Sequence, residues 1–348
     1  MISIYEQRTL DTVQRSMPTT GKFIRDTFFK RRKPVIGTKI DIDFKKGGRS
    51  IAPFVNEKSA SKTVGKKGYK TNSFKTPLIK MKDITTIEDI SVRQPGEKIY
   101  AGMTREERAV EDMTEVVLKF NEMIDRREEW MAAQALLTGK IPVIGEDVNY
   151  EIDFEFTNRE VLVGEKLWSS ASSDKLGDLE RWITECKKKG YRTPNICIMS
   201  KDVVAEFLND EKVQALLDSR NINLATIEPK MLDENVTYIG TIPKWNLSIY
   251  QYDEWYIDDW SKPESPEEKP LIPNGTVLLA STNADSVIYY GELTIVDEKS
   301  PSKFVSYVTE RVTHSWVEHD PAARFIGTES RPLTAPLEVD SWYSATVL

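Results

Sequence analysis

Cysteine and histidine are both scarce in this sequence, with two of each among 348 residues. Cys186 and Cys197 are too few and too far apart for a disulfide framework or a Cys-x-x-Cys metal clip. We therefore expect two buried thiols in a protein that is made and kept in a reducing cytoplasm. A chain of this length buries enough surface to fold without such crosslinks, and two lobes are expected.

Signal-peptide and membrane-spanning patterns are missing as well. The first ten residues include Glu6 and Arg8 where a signal peptide has an apolar core. No apolar run approaches the roughly 20 residues that cross a bilayer. We therefore expect no membrane partner.

The common motifs of active sites are also lacking. There is no Gly-x-x-x-x-Gly-Lys-Ser/Thr phosphate loop, no Gly-x-Ser-x-Gly elbow and no Gly-x-Gly-x-x-Gly fingerprint. His314 and His319, if on one strand, would face opposite sides, which argues against a shared metal. The carboxylates of Asp41 and Asp43, or those within 253–259, could hold a hard cation, but solvated surface groups are favoured. We expect no catalytic residue, cofactor or metal, and hence no enzyme.

Charge is unevenly distributed along the chain. Residues 1–80 carry 19 Lys and Arg against 6 Asp and Glu, a net charge of +13, which leaves −20 for residues 81–348. Such asymmetry is typical of a basic arm that binds nucleic acid, or of a segment that lies against the acidic face of another copy. The composition leaves both interpretations open.

The basic segment has little apolar sequence of its own. Thr38–Phe44 alternates with a period of two and predicts a strand, but nothing within residues 1–80 would close a separate core. We therefore expect an extended arm and loop that gain burial from partner surfaces. The candidate contact residues between subunits are Lys58, Lys62, Lys66, Lys67, Lys70, Phe74 and Lys75.

A long helix is predicted from Thr104 onward. Thr104 and Glu107 form a capping box, in which each side chain bonds the backbone N–H of the other residue. Apolar residues then recur at steps of three and four, and neither proline nor glycine occurs before Gly139. The helix over about 105–138 would be roughly 50 Å long, well above the average.

The middle of the chain predicts a lobe of mixed helices and strands. An amphipathic stripe from Leu176 to Cys186 ends in three lysines and Gly190, which suit the carboxyl end of a helix. Ser200 and Asp210 are candidate caps of two short helices. The predicted strands are 195–199, 236–240, 247–250 and 276–280, with further strands expected within 146–165. The segment 261–269, rich in Pro and Glu, predicts an exposed loop.

Several stretches resemble one known family in the same order and over nearly the whole chain. They are Ile51–Asn56 with Phe74–Lys82, the helix end Ala135–Lys140, the turn and strand Ile272–Leu279, and Trp316 with Asp320–Phe325 and Ser330–Leu333. In these stretches the chain is similar to the major capsid protein E family typified by phage lambda. The loop at 261–269 departs from the family pattern.

The resemblance implies an α+β, Hong Kong 97-like tailed-phage capsid fold. It implies an amino-terminal arm over 1–36, an extended loop over 37–92, a peripheral domain over 93–168 and 303–348 built on the long spine helix, and an axial domain over 169–302. Copies would assemble into pentamers and hexamers of an icosahedral head around double-stranded DNA. Scaffolding and portal proteins would take part during assembly in the host cytoplasm, and a decoration protein is a further possible partner.

Two other interpretations of the function stay open. An encapsulin-like compartment shell shares the implied fold. A cytosolic nucleic-acid-binding protein would use the basic first 80 residues, although aromatic side chains for base stacking are sparse there.

Overall fold

The computed structural model describes residues 22–45, 69–86, 91, 104–145, 147–170, 172–218, 231–233, 235–259, 264–297, 300–319 and 322–348. Its helices are Phe23–Phe28, Arg105–Leu137, Lys175–Lys189, Lys201–Leu208 and Glu211–Asp218, with a short 3-10 turn at Gly164–Lys166. None of the described helices is both long and apolar enough to span a membrane.

The strands are numbered in chain order. They are β1 (Arg31–Pro34), β2 (Lys39–Lys45), β3 (Tyr69–Lys75), β4 (Ile79–Thr86), β5 (Lys140–Gly145), β6 (Val148–Asp153), β7 (Arg159–Val161), β8 (Ile196–Met199), β9 (Met231–Asp233), β10 (Val236–Ile242), β11 (Leu247–Tyr252), β12 (Trp255–Asp258), β13 (Glu267–Pro270), β14 (Thr276–Ala280), β15 (Ser286–Tyr290), β16 (Leu293–Asp297), β17 (Ser300–Tyr307), β18 (Arg311–His319), β19 (Ala322–Ser330), β20 (Pro332–Pro336) and β21 (Tyr343–Thr346).

The helix Arg105–Leu137, called the spine helix below, confirms the predicted start. The Thr104 hydroxyl accepts the Glu107 N–H at 3.2 Å, and the Glu107 carboxylate accepts the Thr104 N–H at 2.8 Å. The helix ends before Gly139, whose φ of +71° favours glycine. A Cβ at Gly139 would also lie 2.2 Å from that of Phe156, so the turn that follows the helix requires glycine.

The largest sheet has seven strands in the order β7-β21-β14-β8-β11-β10-β9. Its central strand β8 lies within the predicted strand 195–199 and is buried throughout. The helix Lys175–Lys189 packs on it through Leu179, Trp182, Ile183 and Cys186, which confirms the predicted stripe. Strands β7 and β21 belong to segments assigned to the peripheral domain, so this sheet crosses the predicted boundaries at 168/169 and 302/303.

Two smaller sheets flank the spine helix. The first sheet has the strand order β18-β19-β4. Its residues Ile326 and Met81 pack with Met113, Val117 and Phe120 of the helix. The second sheet has the strand order β1-β15-β20. Four separate hairpins, β2-β3, β5-β6, β12-β13 and β16-β17, complete the described sheets.

Part of the predicted arm and loop folds into the subunit's own core. Ile24, Phe28 and Phe29 are buried beside the spine helix, and Ile40 and Ile42 of β2 join the same cluster. The prediction that partner surfaces must supply burial for the whole segment is therefore wrong for these residues. The reason is long-range: a helix of one and a half turns has no stability alone and forms against the spine helix.

The strands predicted within 146–165 are confirmed as β6 and β7, and Glu155, with a φ of +59°, lies between them. One further segment differs from expectation. Of the predicted loop at 261–269, residues 267–269 belong to β13, which pairs with β12 in a hairpin. The described part of the predicted loop, residues 264–269, therefore leads into and belongs partly to the hairpin β12-β13.

Candidate intersubunit surface

Of the predicted contact residues, the structure describes three, Lys70, Phe74 and Lys75, all in strand β3 of the hairpin β2-β3. Lys58, Lys62, Lys66 and Lys67 lie outside the described residues, and only the backbone of Lys70 is described, in β3. Phe74 is half-buried, with its ring 5.5 Å from that of Phe154. Lys75 is exposed at the end of β3. Phe74 therefore anchors the hairpin to its own subunit, while Lys75 remains accessible.

A buried charge cluster fixes the chain just before this hairpin. The Glu129 carboxylate accepts the backbone N–H groups of Ile24 and Arg25, at 2.8 and 2.7 Å, and the Tyr252 hydroxyl at 2.8 Å. The free N–H groups at the start of a helix need such acceptors. Glu129 therefore ties the short helix Phe23–Phe28 to the spine helix.

Two arginines complete the cluster. Arg25 Nη1 lies 2.6 Å from Asp125 and 3.0 Å from Glu128, and Arg311 pairs with Asp125 and lies 3.6 Å from Glu128. Burial raises the pKa of Glu128 despite the neighbouring guanidinium groups, and it raises the pKa of Glu129 despite the bonds from the backbone N–H groups of Arg25 and Ile24. Burial opposes the charge of Arg25, but the bond to Asp26 and the charges of Glu128 and Asp125 hold its pKa above the usual value.

Sequence reasoning missed this cluster, although a pattern in the helix could have indicated it. Asn121, Asp125 and Glu128 follow each other at steps of four and three, in phase with the buried residues Phe120 and Ile124. Polar side chains on the buried face of a helix must find partners. The sequence does not say that Arg25 and Arg311 are those partners.

The exposed face of the spine helix carries the opposite charge to the basic segment. We define the acidic stripe as Glu111, Glu115 and Glu122 together with Val110 and Leu118, all of which are exposed. Val110 is 40% and Leu118 is 38% exposed. No described residue forms a salt bridge with the three carboxylates. The stripe is therefore an unmatched acidic surface with two apolar side chains.

The outer face of the sheet β18-β19-β4 carries stacked rings. The ring centroids of His314 and Trp316 are 5.3 Å apart, and those of Trp316 and Phe325 are 5.2 Å apart. Gly327 makes room for them, since a Cβ there would lie 3.1 Å from the Trp316 ring. The Lys82 ammonium lies 5.3 Å from the centre of the Phe325 ring.

His314 gives this stack a dependence on pH. Burial lowers its pKa, with a smaller opposing effect from Glu329, whose Oε1 lies 4.0 Å from Nε2. The unfolded chain, with a histidine pKa of about 6.5, therefore takes up the proton first, and stability falls as the pH drops below that value. We expect His314→Gln to lose less unfolding free energy than the wild type between neutral pH and pH ~5. Urea unfolding at both pH values measures this, and equal losses would contradict it.

The candidate sites of chemistry are not brought together. Both histidines belong to β18, five residues apart in sequence. Asp41 and Asp43 share a face of β2, where Asp43 accepts the Thr71 hydroxyl at 2.6 Å. Among the described residues, no group of three His, Cys, Asp or Glu could hold a metal ion. Burial raises the pKa of both thiols, that of Cys186 to about 12, so neither has the character of a nucleophile.

Curated relatives and solved structures match the chain over most of its length. The P21 prophage-derived major head protein of Escherichia coli O6:H1 (strain CFT073) and the major capsid protein of Enterobacteria phage P21 are each 25% identical over 312 residues, 88% of this chain and 89% of the relative. The crystal structure of a putative capsid protein of an Escherichia coli CFT073 prophage aligns with a TM-score of 0.69 at 20% identity, covering 98% of this chain and 99% of that one.

A phage-related protein from Bordetella bronchiseptica aligns with a TM-score of 0.53 at 14% identity, covering 97% of this chain and 96% of that one. These structural likenesses confirm the expected α+β tailed-phage capsid fold. The sequence model of the family described as phage major capsid protein E matches residues 6–347. Because that match covers nearly the whole chain, the protein belongs to the phage major capsid protein E family.

Proposed function

We propose that this structural capsid protein assembles into pentamers and hexamers of an icosahedral head that encloses double-stranded DNA. The observation that carries the proposal is the family match over residues 6–347. The protein acts without catalysis, as a building block of the virion capsid that is assembled in the host cytoplasm. Scaffolding and portal proteins are the partners during assembly, and a decoration protein is a further candidate.

We also propose a role for each part of the chain. The arm over 1–36 and the loop over 37–92 reach neighbouring subunits, while 93–168 with 303–348 and 169–302 form the peripheral and axial parts. The shared seven-stranded sheet supports a rigid connection between these two parts, because β7 and β21 pair with each other and β21 with β14. Arg25 and Glu129 support a fixed point from which the loop base extends.

The loop is proposed to contact the acidic stripe of a neighbouring copy. Residues 46–68 contain six Lys and Arg and one Glu, and the stripe has three carboxylates without a described partner. Opposite surface charges steer association and fix which surfaces meet. Because copies in a ring touch through two different surfaces, a loop on one side and a stripe on the other fit a capsomer.

Charge exchange tests this contact. We expect Lys66→Glu, Lys67→Glu and Lys70→Glu together to reduce the yield of closed shells at least tenfold, since like charges would then face each other. Changing Glu111, Glu115 and Glu122 to Lys should do the same, and combining both sets should restore part of the yield. Electron microscopy and sedimentation of protein produced with its scaffolding protein measure shell yield.

A matched control changes three exposed lysines outside the loop to Glu, namely Lys166, Lys188 and Lys201. Shell yield should stay near that of the wild type. Unchanged yield in the loop variant would reject the contact, and persistent monomers of the wild type under all assembly conditions would reject the shell itself. Stoichiometric, salt-sensitive binding of duplex DNA by the unassembled subunit would instead favour the nucleic-acid-binding function.

A further inference from the structure

A wide groove lies beside the carboxyl-terminal half of the spine helix. Its volume is about 980 Å³. The walls are the turn between β3 and β4, the helix from Lys119 to Met131, the hairpin β5-β6 and the hairpin β12-β13. None of the contacts described above fills it.

The rim of the groove is apolar and accessible. Leu78, Ile144, Val148, Trp255 and Ile257 line it and are between 41% and 62% exposed. Single exposed apolar side chains are ordinary, but a contiguous group around a groove marks a binding surface. An occupant must therefore present apolar side chains of its own.

The groove is also rich in unmatched donors. Lys75, Arg126 and Arg331 line it, and none of them forms a salt bridge with a described residue. Arg331 Nε and Trp130 Nε1 are buried with no hydrogen-bond acceptor among the described residues. Buried polar groups almost always have partners, so these two donors indicate a missing acceptor. Carboxylates or backbone carbonyls of an occupant would supply it.

Charge excludes the loop as that occupant. The groove is lined by six Lys and Arg and by three carboxylates, those of Glu122, Asp259 and Glu268. The basic segment 46–68 would meet like charge there. The acidic hairpin β12-β13 already forms one wall, so the same hairpin of this subunit cannot also enter.

Nucleic acid fits the groove less well than protein does. Aromatic rings and cations are present, as in grooves that bind single strands. However, the aliphatic side chains Leu78, Ile144, Val148 and Ile257 offer no stacking surface for bases. The mixture of aliphatic rim, unpaired cations and orphan donors matches a polypeptide with apolar and acidic side chains.

We propose that this groove is the docking site of a separate protein, which inserts an acidic amphipathic segment. Its apolar side chains contact the rim, and its carboxylates pair with Arg126, Lys75 and Arg331. A second copy of the chain is the less suitable source, since the acidic stripe, which combines exposed carboxylates with apolar side chains, is matched by the basic loop. The choice of a separate protein over a second copy rests on the proposed loop contact.

Labelled synthetic peptides test the proposal on the full-length, unassembled subunit. One 14-residue helical peptide carries leucines on one face and glutamates beside them, and a second has lysine at every glutamate position. We expect saturable binding of the glutamate peptide only, measured by fluorescence anisotropy. Arg126→Glu and Ile144→Asp should each weaken it about tenfold.

Two variants outside the groove serve as controls. Lys82→Glu reverses an exposed cation on the sheet β18-β19-β4, and Val161→Asp adds a charge at an exposed apolar site, so neither should change the affinity. Absent binding, equal binding of the lysine peptide, or insensitivity to both groove variants would overturn the proposal. Displacement of the peptide by a single-stranded oligonucleotide would assign the groove to nucleic acid, and altered self-association of Arg126→Glu in sedimentation would assign it to a second copy.

Discussion

Replacing Arg25 with methionine is expected to lower the free energy of unfolding of the subunit by about 3–5 kcal/mol. The guanidinium is fully buried and contacts both Asp125 and Glu128, which are also fully buried. After its loss, Arg311 still pairs with Asp125 and lies 3.6 Å from Glu128. A charge that is left buried without its partner costs more than the pair contributed, because it stays desolvated. Urea unfolding of the unassembled subunit, followed by tryptophan fluorescence, measures the change.

The matched control is Lys30→Met, which removes an exposed cation from the residues just after the same short helix. This variant should change the free energy of unfolding by no more than about 0.5 kcal/mol. A loss below about 1 kcal/mol for Arg25→Met, or equal losses for both variants, would show that the cluster does not hold the arm. Protease sensitivity near residue 22 should rise with Arg25→Met, since the short helix has few other polar anchors.

The second large effect is expected for Trp182→Ala, which should lower the free energy of unfolding of the subunit by about 3–5 kcal/mol. The indole is fully buried between Trp168 and Tyr343, with ring centroids 5.9 and 5.4 Å away, and Nε1 donates to Glu160 at 2.8 Å. Removing it opens a cavity between the helix Lys175–Lys189 and the sheet. Glu160 keeps the Arg181 guanidinium at 2.7 Å, so the cost comes chiefly from packing.

Chemical unfolding of three variants separates packing from helix propensity. Lys188→Ala, on the exposed side of the same helix, should be nearly neutral, and Trp182→Phe should fall between the two because it fills part of the space. A small effect of Trp182→Ala would mean that the helix can collapse onto the sheet. That outcome would contradict the tight packing of the three rings.

The elements with strong local patterns were predictable from the sequence. The spine helix starts at its capping box, and the buried strand β8 lies within the predicted strand 195–199. The predicted strands at 236–240, 247–250 and 276–280 are confirmed as β10, β11 and β14; the first two are two residues longer than predicted, and the third has the predicted bounds. Asp210 also caps a helix, as its carboxylate accepts the Lys212 N–H at 2.8 Å.

What the sequence could not supply depends on contacts between distant segments. The Ser200 side chain bonds Asp202 and accepts the Thr276 N–H, so it does not cap its helix as expected. In the sequence Arg25 looks like one more cation of a basic arm. In the structure it is buried and bonds Asp125, which lies 100 residues further along the chain. Of the candidate surface, the sequence predicted only the charge, because the loop lysines stand out in the composition. The groove was not predictable, since it combines five separate segments of the chain.

The place of β21 in the large sheet affects how the protein is made. This strand, Tyr343–Thr346, lies between β7 and β14 and is hydrogen-bonded to both. On the ribosome β14 and β8 emerge well before it, and one edge of β14 stays open until residue 346 has been translated. Late pairing of distant segments is slow, and open strand edges invite aggregation. Nascent chains of this protein therefore need protection of that edge until β21 has been made, and truncation before residue 343 leaves β14 without a partner on that side.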